Sequence, residues 1–207
     1  MNPSTIIAID GPSASGKGTI AKALAEALGF HYLDTGALYR MVGLTIQRQN
    51  LDPNDEEAAA AIAASLQPAS FHEAELRGEL VGGYASKVAI LPKVRIALLK
   101  YQRDFAKQGP GTVLDGRDIG TVVCPQANVK FYITASVEVR SMRRLRETPG
   151  SDFNAVKADI LARDERDQSR LVAPLKIADA AVVIDTSDMT AQQAIALCLQ
   201  VIAKSQG

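Results

Sequence analysis

The hydrophobic positions of this chain switch repeatedly between two spacings. Thr5-Ile6-Ile7-Ala8-Ile9 is an unbroken apolar, β-branched run, the pattern of a buried strand. A Gly/Ser loop follows. Beyond it, Ile20, Ala21, Leu24, Ala25 and Leu28 recur at helical intervals, and Gly29 closes the helix. His31 to Asp34 reads as a short strand ending in a Thr35-Gly36 turn, and Ala37 to Ile46 as a helix. Asp52 to Leu66, acidic and then Ala-rich, reads as a surface helix, and Gln67 to Glu79 has no clear period. Leu80 to Val88 leads through Leu91-Pro92 into a helix over Lys93 to Phe105. Thr112 to Asp118 reads as a buried strand finishing in charge, and Val129 to Thr134 as another strand. Ser136 is placed to cap a helix that Thr148-Pro149-Gly150-Ser151 breaks; Asp152 restarts it to about Ser169. Ala180 to Asp185 is the last strand. Thr190 and Gln193 form a capping box for a final helix over Ala191 to Lys204. Strands alternating with helices predict an α/β fold with a parallel sheet and helices on both faces.

The chemistry is concentrated in the first loop. Gly11, Pro12, Ser13, Ala14, Ser15, Gly16, Lys17, Gly18 and Thr19 keep the Gly-x-x-x-x-Gly-Lys spacing between a strand and a helix, the context a P-loop needs. Such a loop turns successive N–H groups inward as an anion nest, and the helix N-terminus adds partial positive charge. Lys17 is placed to reach the β- and γ-phosphates of a nucleoside triphosphate. The residue after Lys17 is Gly18, so the usual hydroxyl is displaced to Thr19. Magnesium is therefore expected on phosphates and water rather than on a direct protein ligand, with Thr19 near phosphate.

Two further clusters are charged. Asp115, Arg117 and Asp118 stand at the carboxyl end of a strand, where open α/β sheets bind ligands, and Asp115 fits an acidic residue holding magnesium through water. Arg140, Arg143, Arg144 and Arg146 lie on one helix; Arg163, Arg166, Asp167 and Arg170 lie on the next. Two arginine-bearing helices joined by a Pro/Gly tip read as a mobile lid. Arginine without lysine between Arg140 and Arg146 favours forked, bidentate phosphate recognition. Arg40, one turn past Gly36, is a further candidate phosphate contact.

Composition narrows the class. The chain has 207 residues, 47% of them hydrophobic, enough for one core with small inserts. Lys plus Arg and Asp plus Glu are both 23, and a neutral chain argues against broad nucleic-acid or membrane-surface binding. Cys124 and Cys198 match no metal spacing and read as reduced apolar fillers. No signal or spanning segment is evident, so a cytoplasmic protein is expected; a monomer is expected as well.

The motifs together resemble the bacterial cytidylate kinases, CMP/dCMP kinases within the nucleoside monophosphate kinases. The matching pieces are the Asp10-Gly11-Pro12-Ser13 and Gly16-Lys17-Gly18-Thr19 runs, Leu33 to Arg40, Asp115 to Val123, Arg163 to Asp167 and Arg170 to Leu175. The resemblance implies a P-loop kinase sheet of order 2-3-1-4-5, a core over 1–66, 91–140 and 171–207, an acceptor-binding insert over about 67–90 and a lid over about 141–170. Leu76-Arg77 through Ser86, then Arg95, match the closing half of that insert. Pro68 to Glu75 is short where the family has a small antiparallel sheet. It implies ATP with Mg2+ as donor and CMP or dCMP as acceptor. Asp118 would take the cytosine amino group, and Ser86 and Arg95 the ring acceptors. Thr35, Asp167 and Arg170 would contact the ribose, and Arg40, Arg117 and Arg163 would clamp the acceptor phosphate and the transferring group. Arg140 and Arg144 would face ATP. Lys17, Arg117, Arg163 and Asp115 would carry the chemistry. Two other functions fit a P-loop: a kinase of a small hydroxyl metabolite, as in shikimate kinase, with Asp34 as base, and a nucleotide-dependent switch. A switch usually needs the hydroxyl that Gly18 lacks.

Overall fold

The computed structural model describes residues 5–76 and 78–205. In chain order the strands and α-helices are β1 (Thr5–Asp10), α1 (Lys17–Leu28), β2 (His31–Asp34), α2 (Thr35–Arg48), α3 (Glu56–Ala64), α4 (Glu79–Val88), α5 (Pro92–Phe105), β3 (Gly111–Gly116), β4 (Val129–Thr134), α6 (Val137–Glu147), α7 (Phe153–Ser169), β5 (Val182–Asp185) and α8 (Ala191–Ser205). The chain gathers into two compact units. One comprises residues up to Leu33 and from Ala106 onward; the other is Asp34–Phe105.

The first unit is built on a five-stranded sheet of order β2-β3-β1-β4-β5, as expected. β1 pairs in parallel with β3 and β4, and β4 with β5. The register sets Ile9 beside Asp115 and Asp10 beside Gly116 and Tyr132. The carboxyl ends of the three central strands therefore share one edge, where an open α/β sheet binds ligands. Every residue of β3 is buried, whereas β4 alternates buried and half-buried positions. Ile7, Ile9, Leu24, Val113, Phe131, Ile133, Cys198 and Ile202 are among the residues of one core. α1 buries Ile20, Ala21, Leu24 and Ala25, and Gly29 ends it in the left-handed conformation at φ 65°. Both cysteines are buried thiols outside any disulfide; burial pushes the Cys198 thiol up to about 12. α6 packs on α7, and Ser136 caps α6 as its position predicted. Thr190 and Gln193 exchange the two capping-box bonds at 2.9 and 3.2 Å.

The second unit is helical. Asp34 caps α2, its Oδ1 accepting from the Ala37 N–H at 3.0 Å. That bond starts the helix at Thr35, so Thr35-Gly36 is a first helical turn rather than the separate turn expected. α3 is a surface helix with one inner face: Ala59 and Ala63 are buried, because small side chains let α3 pack on α5. Segment 67–90 holds two 3₁₀ turns, Pro68–Ser70 and Glu73–Leu76, followed by α4. No strand occurs in it among the described residues, and Arg77 lies outside them. α4 packs closely on α2: a Cβ at Gly43 would come within 2.9 Å of the Ala85 nitrogen and of Tyr84 Cβ. No helix among the described residues is long and apolar enough to cross a membrane.

Candidate active site

The loop between β1 and α1 has the shape its glycines predicted. A Cβ at Gly11 would sit 2.0 Å from the Ile133 carbonyl oxygen, so only glycine lets the loop leave the sheet there. Gly16, at φ 89°, is the left-handed residue that opens α1. Lys17 Nζ donates to the Pro12 carbonyl at 3.2 Å, holding the ammonium across the loop. The Ser13 carbonyl accepts from Arg140 Nη1 at 3.2 Å. The Ser15 carbonyl accepts from Arg143 Nη1 and from the Thr186 hydroxyl, both at 3.1 Å. A trans peptide points its C=O and N–H in opposite directions. Fastening these two carbonyls turns the Ala14 and Gly16 N–H groups the other way and builds the nest.

Arg140 thus differs from the lid arginine expected. It is buried, and its guanidinium also bonds the Ala135 carbonyl at 3.0 Å and Asp164 at 2.7 Å. Arg143, to which the sequence reading gave no ligand, ties the loop to Thr186 at the exit of β5, bonding its hydroxyl and carbonyl at 3.0 and 2.8 Å. Arg144 and Arg163 reach the Ser13 hydroxyl at 3.4 and 3.5 Å.

At the end of β3, Asp115 is buried and its Oδ1 accepts from the Tyr32 hydroxyl at 2.7 Å. Arg117 Nε donates to Asp167 at 2.7 Å, and Arg170 binds the other oxygen of the same carboxylate. Burial pushes Asp167 up, but Arg117 and Arg170 outweigh it and hold the carboxyl below the usual range. Arg170 stands at the C-cap of α7, just past the helix on which it was expected with Arg163 and Arg166. Arg163 is largely buried, with a distant Asp159 at 3.8 Å and no hydrogen-bond partner for its Nε. Burial, together with Arg144 and Arg117 nearby, pulls its guanidinium below the ordinary value. A largely buried guanidinium with few carboxylate partners is a favourable place for an anion.

Asp118 is buried and precedes a short π-helical turn, Ile119–Val123, whose Val122 and Val123 N–H groups return to its carbonyl. That turn is fastened by Asp10, which the sequence reading gave no role. The two Asp10 oxygens accept from the Ile119 and Gly120 N–H groups at 2.8 Å each. Burial is the main cause that pushes Asp10 up to about 6, against those two bonds.

In the second unit, Asp34 divides its oxygens between the helix cap and Arg40, whose Nη2 lies 2.5 Å away. Thr35 is buried at the start of α2. Ser86 on α4 is buried with no hydrogen-bond partner for its hydroxyl. Arg95 on α5 is buried, donates to the Ala89 carbonyl at 3.2 Å and lies over the Tyr39 ring at 5.8 Å.

A parallel sheet of this order carrying a phosphate loop and a set of buried arginines defines a P-loop kinase. The family model described as cytidylate kinase matches residues 7–204. A cytidylate kinase of Rhodospirillum rubrum is 54% identical over 210 residues, covering 97% of this chain and 99% of that protein. The chain belongs to the cytidylate kinase family, and it is a phosphotransferase that moves a phosphoryl group from ATP to CMP. Among solved structures, an uncharacterized protein from Eubacterium ventriosum superposes with a TM-score of 0.59 at 16% identity, covering 97% of this chain and 99% of that one. Shikimate kinase from Bacteroides thetaiotaomicron does so at 0.52 and 11%, covering 96% and 98%. At these identities the likeness is one of fold alone.

Proposed function

We propose that this kinase accepts dCMP as well as CMP, takes Mg2+ with its ATP, and works as a cytoplasmic monomer, with the residue roles that follow. Lys17 and the loop amides from Gly11 to Thr19 bind the donor phosphates. Arg140 acts on the loop backbone, and Arg144 faces the donor. Arg117 and Arg163 neutralise the transferring group. Asp118 accepts from the cytosine amino group; uracil would put an oxygen there and leave the carboxylate unpaired. Asp167 and Arg170 contact the ribose. From the second unit, Thr35, Arg40, Ser86 and Arg95 bind the acceptor. The observation that carries this reading is Arg163, largely buried, with an unpartnered Nε and other arginines around it.

The donor set fits magnesium. No group of three or more His, Cys, Asp or Glu among the described residues could hold a metal alone. One buried carboxylate, Asp115, has its Oδ2 3.9 Å from the Cβ position of Gly18, at the start of α1. One carboxylate beside phosphates is how proteins commonly hold Mg2+, which keeps most of its water. When bound, the ion neutralises charge on the donor phosphates, with Asp115 as the residue that would hold it.

The chain's own residues do the rest. The acceptor is a phosphate oxygen, already anionic, so no side chain has to remove a proton. The obstacle is repulsion between two anions and the work of aligning them. Lys17, Arg117 and Arg163 offset that repulsion with fixed charge, and closure of the arginine-bearing α6–α7 pair excludes competing water. The hydroxyl-acceptor alternative needs a free base, and Asp34 is committed to its cap and to Arg40. The test is a melting scan with CMP and no ATP. A rise in Tm marks a separate CMP site; no rise at saturating CMP contradicts the acceptor assignments.

A further inference from the structure

Gly18 leaves a gap in the chemistry of the loop. In P-loops with Ser or Thr after the lysine, that hydroxyl stands on the metal. Here the position has no side chain, and the structure shows what surrounds it. A Cβ at residue 18 would meet the Tyr32 hydroxyl at 3.8 Å and Asp115 Oδ2 at 3.9 Å. Both are ordinary contact distances, and both atoms are polar. The Tyr32 hydroxyl reaches this place from the edge strand β2, 83 residues from Asp115 in sequence, and donates to its Oδ1 at 2.7 Å. The ring is held independently: Lys22 Nζ lies 5.9 Å from its centroid, and the ring packs against the core that contains α1. The bond to Asp115 is therefore made by a tyrosine whose position its own packing sets.

We propose that the Tyr32 hydroxyl takes over the space and part of the task of the hydroxyl missing at residue 18, orienting Asp115 toward the magnesium–triphosphate. Tyr32 is a positioning residue, acting through Asp115 rather than on the reacting atoms. A phenol donating to one carboxylate oxygen fixes the rotation of the group, and such supporting bonds commonly govern metal affinity. Because the Cβ contacts at residue 18 are unstrained, a serine is accommodated there. Its hydroxyl would lie beside the same carboxylate.

The inference rests on the assignment of Asp115 as the magnesium-facing carboxylate, and binding measurements separate the two. ATP affinity is measured by calorimetry with Mg2+ and again with EDTA, and the ratio is the magnesium enhancement. Tyr32→Phe keeps the ring and removes only the oxygen. The enhancement is expected to fall about tenfold, with metal-free ATP affinity and Tm near those of the unaltered protein. Adding Gly18→Ser to Tyr32→Phe is expected to restore a measurable part of it. If Asp115→Asn abolishes the enhancement while Tyr32→Phe leaves it intact, the role of Tyr32 is overturned and that of Asp115 stands. If Asp115→Asn leaves the enhancement unchanged, the Asp115 assignment falls and this proposal with it. If Gly18→Ser recovers nothing, the claim that Tyr32 replaces the hydroxyl of residue 18 fails.

Discussion

Replacing Arg117 by alanine separates what this residue does for the fold from what it does for the reaction. Its guanidinium donates to Asp167 at 2.7 Å and to the Gly116 carbonyl at 3.3 Å. The side chains are 20% and 3% accessible, so the pair is largely shielded from solvent. Removing one partner of a buried ion pair costs about 3–5 kcal/mol when the other is left unpaired. Asp167 is not left unpaired here, because Arg170 holds its second oxygen. The cost should therefore be close to one hydrogen bond to a charged group, about 2 kcal/mol. For a chain of this length that is a fall in Tm of about 4–8 °C, and the protein remains folded at assay temperature. Turnover should fall much further, by about 10³-fold or more, as for other arginines that neutralise a transferring phosphoryl group. Arg117→Lys keeps the charge but not the planar fork, and should keep most of the stability while losing much of the turnover. The assay is coupled ADP release with ATP, magnesium and CMP, beside a melting curve for each variant. Turnover of Arg117→Ala within tenfold of the parent would refute the catalytic role. A Tm loss large enough to unfold the variant at assay temperature would mean that Arg170 does not compensate Asp167.

Two other substitutions test other parts of the site. Burial pushes the Asp10 carboxyl up to about 6, well above the usual carboxylate range, so the folded protein holds this proton more tightly than the unfolded chain. Its contribution to stability is therefore greatest below pH 4 and is lost as pH rises through 6. The stability difference between the parent and Asp10→Asn, from urea unfolding, should shrink by up to about 3 kcal/mol between pH 4 and pH 7; parallel curves would contradict the buried carboxylate. Arg143→Ala leaves the Ser15 carbonyl held by the Thr186 hydroxyl alone and should raise the KM for ATP about tenfold, the value of one charge-assisted bond, with the KM for CMP little changed. Equal changes in both would assign Arg143 to general stability instead.

What the sequence revealed follows from how local each signal is. The phosphate loop depends on residues next to one another, so Gly11, Gly16 and Lys17 could be placed without a structure. The sheet order followed from the family resemblance, and the structure bears it out. The capping box at Thr190 and Gln193 spans four residues and was equally visible. The partners of Asp10 and Tyr32 are remote, Gly120 being 110 residues from Asp10. No periodicity relates such positions, and only the strand order β2-β3-β1 brings the ends of these strands side by side. Arg140 looked like its neighbours on α6 because helical spacing does not show that Ser13, 127 residues away, and Asp164 surround it. Which face of α3 turns inward was not legible, because alanine signals neither core nor solvent, and packing on α5 buries Ala59 and Ala63. The Asp34 cap was missed because Thr35-Gly36 resembles a turn until the carboxylate is seen to bond Ala37.

The central proposal is that this family member reads the cytosine amino group through Asp118. The most direct measurement is kcat/KM for CMP, dCMP, UMP and AMP with ATP and magnesium, in the parent protein. The account predicts rapid turnover of CMP and dCMP and far slower turnover of UMP and AMP. UMP turned over as well as CMP would contradict it.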